Sequence, residues 1–525
     1  MNDNIAPAIK EPPIVSAGSG EGGVNTFLAT ISGAALLLIV SYAAFNPSAM
    51  QSDMKAIQDN ISRYFGWWYI LLNFIFVTPV FIIPFTKWGG IKLGNADERP
   101  EYTTFEWMAM LICCSFAVSA VVWAIAEPLY HWMQPPLGAE PGTMAALKDS
   151  FKITIMHTAV GGFGVFAVAG VCIGLPAYRY GLPMNFTTAF YGLFGKKIYN
   201  KTPAMLLELI AMIVNFLGIA TSIGLGMISL RYGIQHLFGV QLNTVGMIGL
   251  TCVIAAGFCW SVYRGLDNGI KTLSNINAYI AMVVFAYVLF AGPTRNIFNW
   301  IVQVPGEYFG NFVFLSLHTD AGEQAFGGKW MSWWKVFYWG WWFSWVPFVG
   351  GFLARISRGR SLREVLLGCT FIPTLTCIVW FTTFGIAGVY TEMGGNSLLW
   401  AEIQKDVGAG FYVMVDNWPL GYAFSMVVLF MMVVFMVTSA DSAAFFCAMQ
   451  LTDGSAEPGR IVRMTAGSGI AVLAVVLILV GGLKGCQSAA VLGGFPISVL
   501  MVFMLVSFWK LMIAEGTRLG FTRYY

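Results

Sequence analysis

Long apolar stretches recur along almost the whole chain, separated by short polar segments. The runs from Phe27 to Asn46 and from Ile461 to Gly481 are each about 20 residues, enough for a helix to cross a hydrocarbon core of about 30 Å. Windows of about 19 residues predict spans over 27–46, 67–88, 105–126, 151–174, 205–230, 243–262, 276–294, 333–354, 365–388, 420–447, 461–481 and 488–512. The pattern describes an all-α polytopic membrane protein with twelve transmembrane helices. No short-period repeat is visible. The third and eighth spans, however, both carry small residues in mid-membrane and both lead into a Pro, as matching broken helices of a secondary transporter do around a central site. Ordinary helix packing through Gly, Ala and Ser explains the same feature equally well.

Composition agrees. Of 525 residues, 57% are hydrophobic and 10% charged, far from soluble usage. The net charge of +3 is spread over loops, with no basic tract of the kind that binds nucleic acid. The cysteines lie mostly inside apolar runs, as Cys113, Cys114, Cys252 and Cys377 do, and read as small core hydrophobes. The polar tail over residues 1–26 lacks a cleaved signal's basic start and short apolar core, so Phe27 opens a retained span. An even number of spans puts both termini on one side. Placing them in the cytoplasm collects most of the 29 Lys and Arg there, as the positive-inside rule requires. The segments 127–150, 295–332 and 389–419 then face outward, and their Trp and Tyr suit interfacial helices.

Enzyme chemistry finds little support. His131, His157, His236 and His318 are scattered without an HExxH context, and no GxxxxGK[ST] loop appears, so neither a metal or nucleophile constellation nor ATP-driven transport is indicated. The eighth span is different. It reads Trp333, Trp334, Lys335, Val336, Phe337, Tyr338, Trp339, Gly340, Trp341, Trp342, Phe343, Ser344, Trp345, Val346, Pro347. Tryptophan usually stays at the membrane interface, where its N–H remains wet. A methylated ammonium or sulfonium has diffuse charge and no hydrogen-bond donor, and indole faces hold it at roughly 0.5–2 kcal/mol per contact. Trp341, Trp342 and Trp345 are spaced to cluster on one side of a helix; an aromatic belt is the plainer alternative.

The run Phe337-Tyr338-Trp339-Gly340-Trp341-Trp342, with Pro347-Phe348-Val349-Gly350 and Ala354-Arg355-Ile356-Ser357-Arg358-Gly359-Arg360-Ser361-Leu362-Arg363-Glu364 after it, closely resembles the signature of the betaine/carnitine/choline transporter (BCCT) family. Asp97-Glu98-Arg99-Pro100-Glu101, Glu127-Pro128, Ala220-Thr221-Ser222-Ile223-Gly224-Leu225-Gly226, Leu273-Ser274-Asn275-Ile276-Asn277 and Thr438-Ser439-Ala440-Asp441-Ser442 agree. The resemblance implies a leucine-transporter-type core of two inverted five-helix repeats, alternating access and a homotrimer. It divides the chain into a cytoplasmic tail (1–26), two peripheral helices (27–104), a first repeat (105–294), a periplasmic interfacial helix (295–332), a second repeat (333–512) and a short cytoplasmic tail (513–525). It makes Trp341 and Trp342 the pair that boxes the onium group and Trp345 an aromatic further along the path. Tyr130 falls where the family's carnitine exchanger has a substrate tyrosine. The fourth span departs from the pattern. Where typical members read His-Trp-Gly with a further Trp and a Tyr, this chain has His157-Thr158-Ala159 with Phe163 and Phe166, and its third span reads Ser115-Phe116-Ala117-Val118-Ser119 in place of a Gly-rich run. Thr158 removes an indole face and adds a hydroxyl, leaving room for a bulkier or more polar substrate. Glycine betaine, choline, carnitine, dimethylsulfoniopropionate and a less methylated amine stay open.

The resemblance also bears on coupling. Thr438 and Ser439 match the hydroxyl pair of sodium-coupled members, with backbone carbonyls near Cys113 and Phe116 as the implied counterpart. Ion-independent exchangers carry an arginine where this chain has Asn277. Sodium is therefore the expected coupling ion and the only cofactor-like group, with the proton next; hydroxyls that bond only their own helix are the alternative. A substrate exchanger and, in another class, a membrane receptor or sensor complete the alternatives. Glu208 and Asp441 are costly inside a membrane unless paired, and read as structural acceptors or proton relays. The arginines at 355, 358, 360 and 363 read as an anchor on anionic lipid. The expected setting is a bacterial inner (plasma) membrane.

Overall fold

The computed structural model describes residues 23–115, 119–264, 271–395, 398–455 and 458–521. Every extended element among them is helical: α1 Thr26–Phe45, α2 Pro47–Ile82, α3 Thr104–Ser115, α4 Ser119–Met133, α5 Met144–Thr158, α6 Val160–Tyr180, α7 Lys201–Phe238, α8 Thr244–Arg264, α9 Lys271–Ala291, α10 Thr294–Gly310, α11 Phe337–Ser344, α12 Val346–Ile356, α13 Leu362–Met393, α14 Gly421–Leu451 and α15 Arg460–Arg518. Seven described helical runs are long and apolar enough to cross a membrane, and α9 with α10 forms an eighth candidate bent by 111°. The protein is a polytopic, all-helical membrane protein.

Breaks in this pattern are local and have physical causes. The run Met144–Tyr180, wholly buried over its most apolar window, is cut at Ala159, whose φ −112, ψ −121 is not helical. The α11 helix ends where Pro347, lacking an N–H, sits in the first turn of α12. There the Trp345 N–H bonds the Trp342 carbonyl at 3.2 Å, while the Ser344 hydroxyl takes the Trp341 carbonyl at 2.8 Å. Just before α11, residues Ser332–Val336 form a π-turn, a widening often found near functional sites. A straight 59-residue α15 would reach about 88 Å, so one bilayer cannot hold it; Gly482, at φ 54, ψ −131, breaks it in two. Its segment before the break continues from Arg460, and the later one runs on to Arg518, beyond the predicted end of that span at 512.

Helix α10 buries Ile297, Trp300, Val304 and Tyr308 along one stripe and exposes Phe298 and Val302 on the other side. Trp300 packs on Phe151 of α5, ring centres 5.6 Å apart. Helix α6 lies close against α12, where a methyl group at Gly350 would come within 2.9 Å of Ala169 Cβ; small residues let such backbones approach.

The arginine-rich corner between α12 and α13 is occupied by protein. Arg355 pairs with Glu101 at 2.9 Å and Arg358 with Glu98 at 2.5 Å. The Arg360 guanidinium sits 4.0 Å over the Trp107 ring, and Arg363 donates to the Pro84 carbonyl at 2.6 Å. The lipid-anchor reading of these four side chains is thus replaced by one of internal pairing. Burial works against the Glu101 carboxylate, but the Arg355 guanidinium outweighs it and holds the carboxyl below its usual range. Backbone bonds reinforce the corner. Leu93 N–H donates to Arg360, Gly359 N–H to Leu93 and Leu362 N–H to Ile91, each at 2.8 Å, around an isolated antiparallel bridge of Lys92 with Ser361. Gly359 has φ +78, and a methyl group there would lie 2.3 Å from the Arg99 carbonyl oxygen, so no side chain fits.

Candidate substrate and ion site

The aromatic site forms where α11 meets the α5–α6 break. Ending a helix leaves carbonyls without partners, and the carbonyl of His157 at the end of α5 is taken by the Trp342 indole N–H at 2.8 Å. The same indole lies on the start of α6: a methyl group at Gly162 would be 2.2 Å from Trp342 Cε2. Its ring centre stands 5.4 Å from Phe163 and 5.0 Å from Phe166, both inclined at about 60°. Trp342, Phe163 and Phe166 are therefore brought together, with both Phe rings buried and Trp342 partly exposed.

Trp341 points elsewhere. Its N–H donates to Ser222 Oγ on α7 at 3.1 Å, its ring stacks on Phe337 at 5.5 Å, and it too is half-buried. Trp345, at the α11–α12 junction, is 9% exposed and packs at 5.7 Å on Phe348, with its buried indole N–H unpartnered. The three tryptophans do not share one face: Trp341 addresses α7 and Trp342 addresses α6, because neighbours on a helix diverge by about 100°. Thr158, the last residue of α5, is buried with its hydroxyl donating to the Thr154 carbonyl at 2.8 Å. Its proton is thus already engaged, and only the oxygen's lone pairs remain for a ligand. Tyr130 lies edge-on to Trp334 at 5.6 Å and to Trp400 at 5.0 Å, so it belongs to an aromatic group seven residues earlier along the helical run than Trp341.

Of the ion candidates, Thr438 donates to the carbonyls of Val434 at 3.0 Å and Phe435 at 3.1 Å. Its oxygen keeps lone pairs for a cation. Ser439 Oγ and both amide atoms of Asn277 are buried without a hydrogen-bond partner, and helices α9 and α14, which carry them, pack together. Unsatisfied buried polar atoms cost about 1–3 kcal/mol each, so this is where a polar ligand would be stabilised. Cys113 lies in the last turn of α3 with its side chain undescribed, and Phe116 lies outside the described residues. Among the described residues no group of three His, Cys, Asp or Glu could hold a metal.

Both intramembrane acids have structural partners. Glu208 accepts from the Thr187 N–H and hydroxyl, each at 2.8 Å, and from Gln450 at 2.9 Å. Asp441 pairs with Arg463 at 3.1 Å and accepts from Ser261 at 2.7 Å. Sequence reasoning missed a second cluster. The histidines at 131, 157 and 318 are not scattered in space but gather around Trp330 and Trp334. The i, i+4 spacing of Glu127 and His131 was the one local signal for it.

A family model, described as BCCT, betaine/carnitine/choline family transporter, matches residues 27–517. The chain belongs to the betaine/carnitine/choline transporter family. This BCCT protein is 31% identical over 476 residues to a glycine betaine transporter of Bacillus subtilis, covering 91% of this chain and 92% of the relative. It is 32% identical over 490 residues to an ectoine/hydroxyectoine transporter of Virgibacillus pantothenticus, covering 93% and 96%. With the high-affinity choline transport protein of Escherichia coli (strain K12) it shares 32% over 466 residues, 88% of this chain and 68% of that one. The BCCT protein is a transporter and not an enzyme.

Proposed function

We propose that this BCCT protein takes up a small onium osmolyte or nutrient, of the glycine betaine, choline, carnitine or dimethylsulfoniopropionate class, together with sodium. The observation that carries the reading is the pair of partly exposed indoles at Trp341 and Trp342, each anchored by its N–H to a different helix, whose uncovered π surface suits a cation that cannot donate a hydrogen bond. Relatives named for betaine, choline and ectoine transport support the class. They span more than one head-group shape, in keeping with a box that has Thr158, Phe163 and Phe166 in place of further Trp and Tyr. The unpartnered Ser439 and Asn277 support a cation beside α14.

Alternating access in a twelve-span, 5+5 inverted-repeat core goes with this reading, because helix breaks at Ala159 and Trp345 meet at the site. So do a bacterial inner membrane with both termini cytoplasmic, and a homotrimer in contact with lipid. An apolar cavity of about 510 Å³ lined by Ile112, Ala281, Phe285, Val379 and Phe435 matches hydrocarbon chains better than solvent. The test is uptake of labelled glycine betaine, choline, carnitine and dimethylsulfoniopropionate into proteoliposomes, with sodium and proton gradients imposed separately. Concentrative uptake of at least one compound that needs the sodium gradient is expected. Uptake that ignores sodium and collapses with the proton gradient replaces sodium by protons, and no uptake of any of the four removes the onium reading.

A further inference from the structure

Glu127 is wholly buried in α4. A carboxyl group in such a place costs several kcal/mol unless every oxygen is engaged, and here both are. Oε2 accepts the Tyr338 hydroxyl, and Oε1 shares a hydrogen with His157 Nδ1 at 2.6 Å. The His157 and Tyr338 rings stack at 4.5 Å, 7° from parallel. His131, one turn on from Glu127, stands 3.9 Å from the same Oε1 and accepts the Trp330 indole N–H at 3.1 Å. The nearby ammonium of Lys335 is spent on the carbonyls of Leu315 and His318, at 2.5 and 2.6 Å.

These bonds close a ring that reaches the aromatic site. Glu127 holds the His157 ring, the His157 carbonyl holds the Trp342 indole, and Trp342 lies one turn beyond Tyr338 on α11, whose hydroxyl returns to Glu127. One carboxyl thus fixes both the spacing and the rotation of α11 against the end of α5. We propose that Glu127 is a positioning residue for the onium site: by clamping His157 and Tyr338 together it sets the Trp342 indole against the α5–α6 break. It touches no substrate itself. The proposal rests on the reading that Trp342 lines that site.

The experiment compares initial uptake rates, into proteoliposomes of known transporter content, of whichever of labelled choline and glycine betaine the parent carries better. Variants E127Q, E127A, Y338F, E127A/Y338F and W342A are measured alongside it. With positioning, E127A raises KM tenfold or more while the maximal rate per folded transporter changes less than threefold, and E127Q, which still accepts from Tyr338, stays within threefold of the parent KM. Because Tyr338 acts through Glu127, Y338F raises KM at least threefold alone and adds nothing to E127A. An E127A KM within twofold of the parent, or effects of E127A and Y338F that multiply, overturns the proposal. Should E127A fail to elute as a folded species, Y338F decides: a rise of less than twofold overturns it. A raised KM in W342A with none in E127A sinks only the positioning role, whereas an unchanged W342A sinks the site reading and this inference with it.

Discussion

Replacing Trp342 by Ala removes two things at once. The substrate loses one indole face, at roughly 0.5–2 kcal/mol, and the His157 carbonyl loses the donor now 2.8 Å away, at about 1–3 kcal/mol if it stays dry. The second loss is suffered with and without substrate, so it lowers the stability of the fold; affinity falls by the first alone, about 2- to 30-fold. W342F separates the two contributions, because a phenyl ring keeps a weaker π face and has no N–H. It should fall between parent and W342A. The control is W107A. Trp107 is as aromatic and nearly as apolar in its setting, but its N–H bonds Ser357 at 3.0 Å and its face carries Arg360, so its loss should lower the yield of folded protein and leave KM within about threefold. Equilibrium binding by scintillation proximity, corrected for folded fraction on size exclusion, reads both quantities. Equal shifts in affinity for W342A and W107A, or a W342A shift below twofold, would refute the assignment of Trp342 to the site.

Thr158→Trp restores an aromatic face worth roughly 0.5–2 kcal/mol, so competition assays should show trimethylammonium compounds gaining about 2- to 30-fold over bulkier substrates; no change for any ligand places residue 158 outside the pocket. Thr438→Ala with Ser439→Ala should abolish the stimulation of substrate binding by sodium while sodium-free affinity stays within about threefold, since linkage is lost with the ion's ligands. Asn277→Arg should make exchange less dependent on sodium, read as counterflow in potassium buffer, and unaltered dependence counts against a cation beside Asn277. Asp441→Asn leaves the buried Arg463 without its counter-charge, which costs roughly 3–5 kcal/mol; thermal unfolding in detergent should show a lower midpoint, partly recovered when Arg463→Met is added.

What the sequence carried were features that need only local chemistry. Apolar runs of helical length, Pro347 after a tryptophan cluster, and the motif from Phe337 to Glu364 pointed to a broken, aromatic helix in a BCCT transporter. The break at Ala159 was not legible, because no proline marks it and the flanking residues read as one continuous span. The spacing that groups Trp341, Trp342 and Trp345 on one side does not show the divergence of Trp341 from Trp342, which follows from the step of about 100° between neighbours on a helix. Glu127 and His157 are thirty positions apart, and only the packing of α4 on α5 brings them into contact. The arginines of the α12–α13 corner looked like a lipid anchor for the same reason: their partners Glu98, Glu101 and Pro84 lie more than 250 residues away.

The ladder that joins residues 91–93 to 359–362 has a mechanical meaning. Hydrogen bonds at 2.8 Å stretch very little before they break, so the segment behind α2 and the corner behind α12 must travel as one body. The second of the outer helices, which the family resemblance sets apart as peripheral, is thus tied by backbone to the corner. Phe81 and Phe85, at and just beyond the end of α2, present large faces to the surroundings, and a lateral force taken up there is delivered without slack to the corner that begins α13.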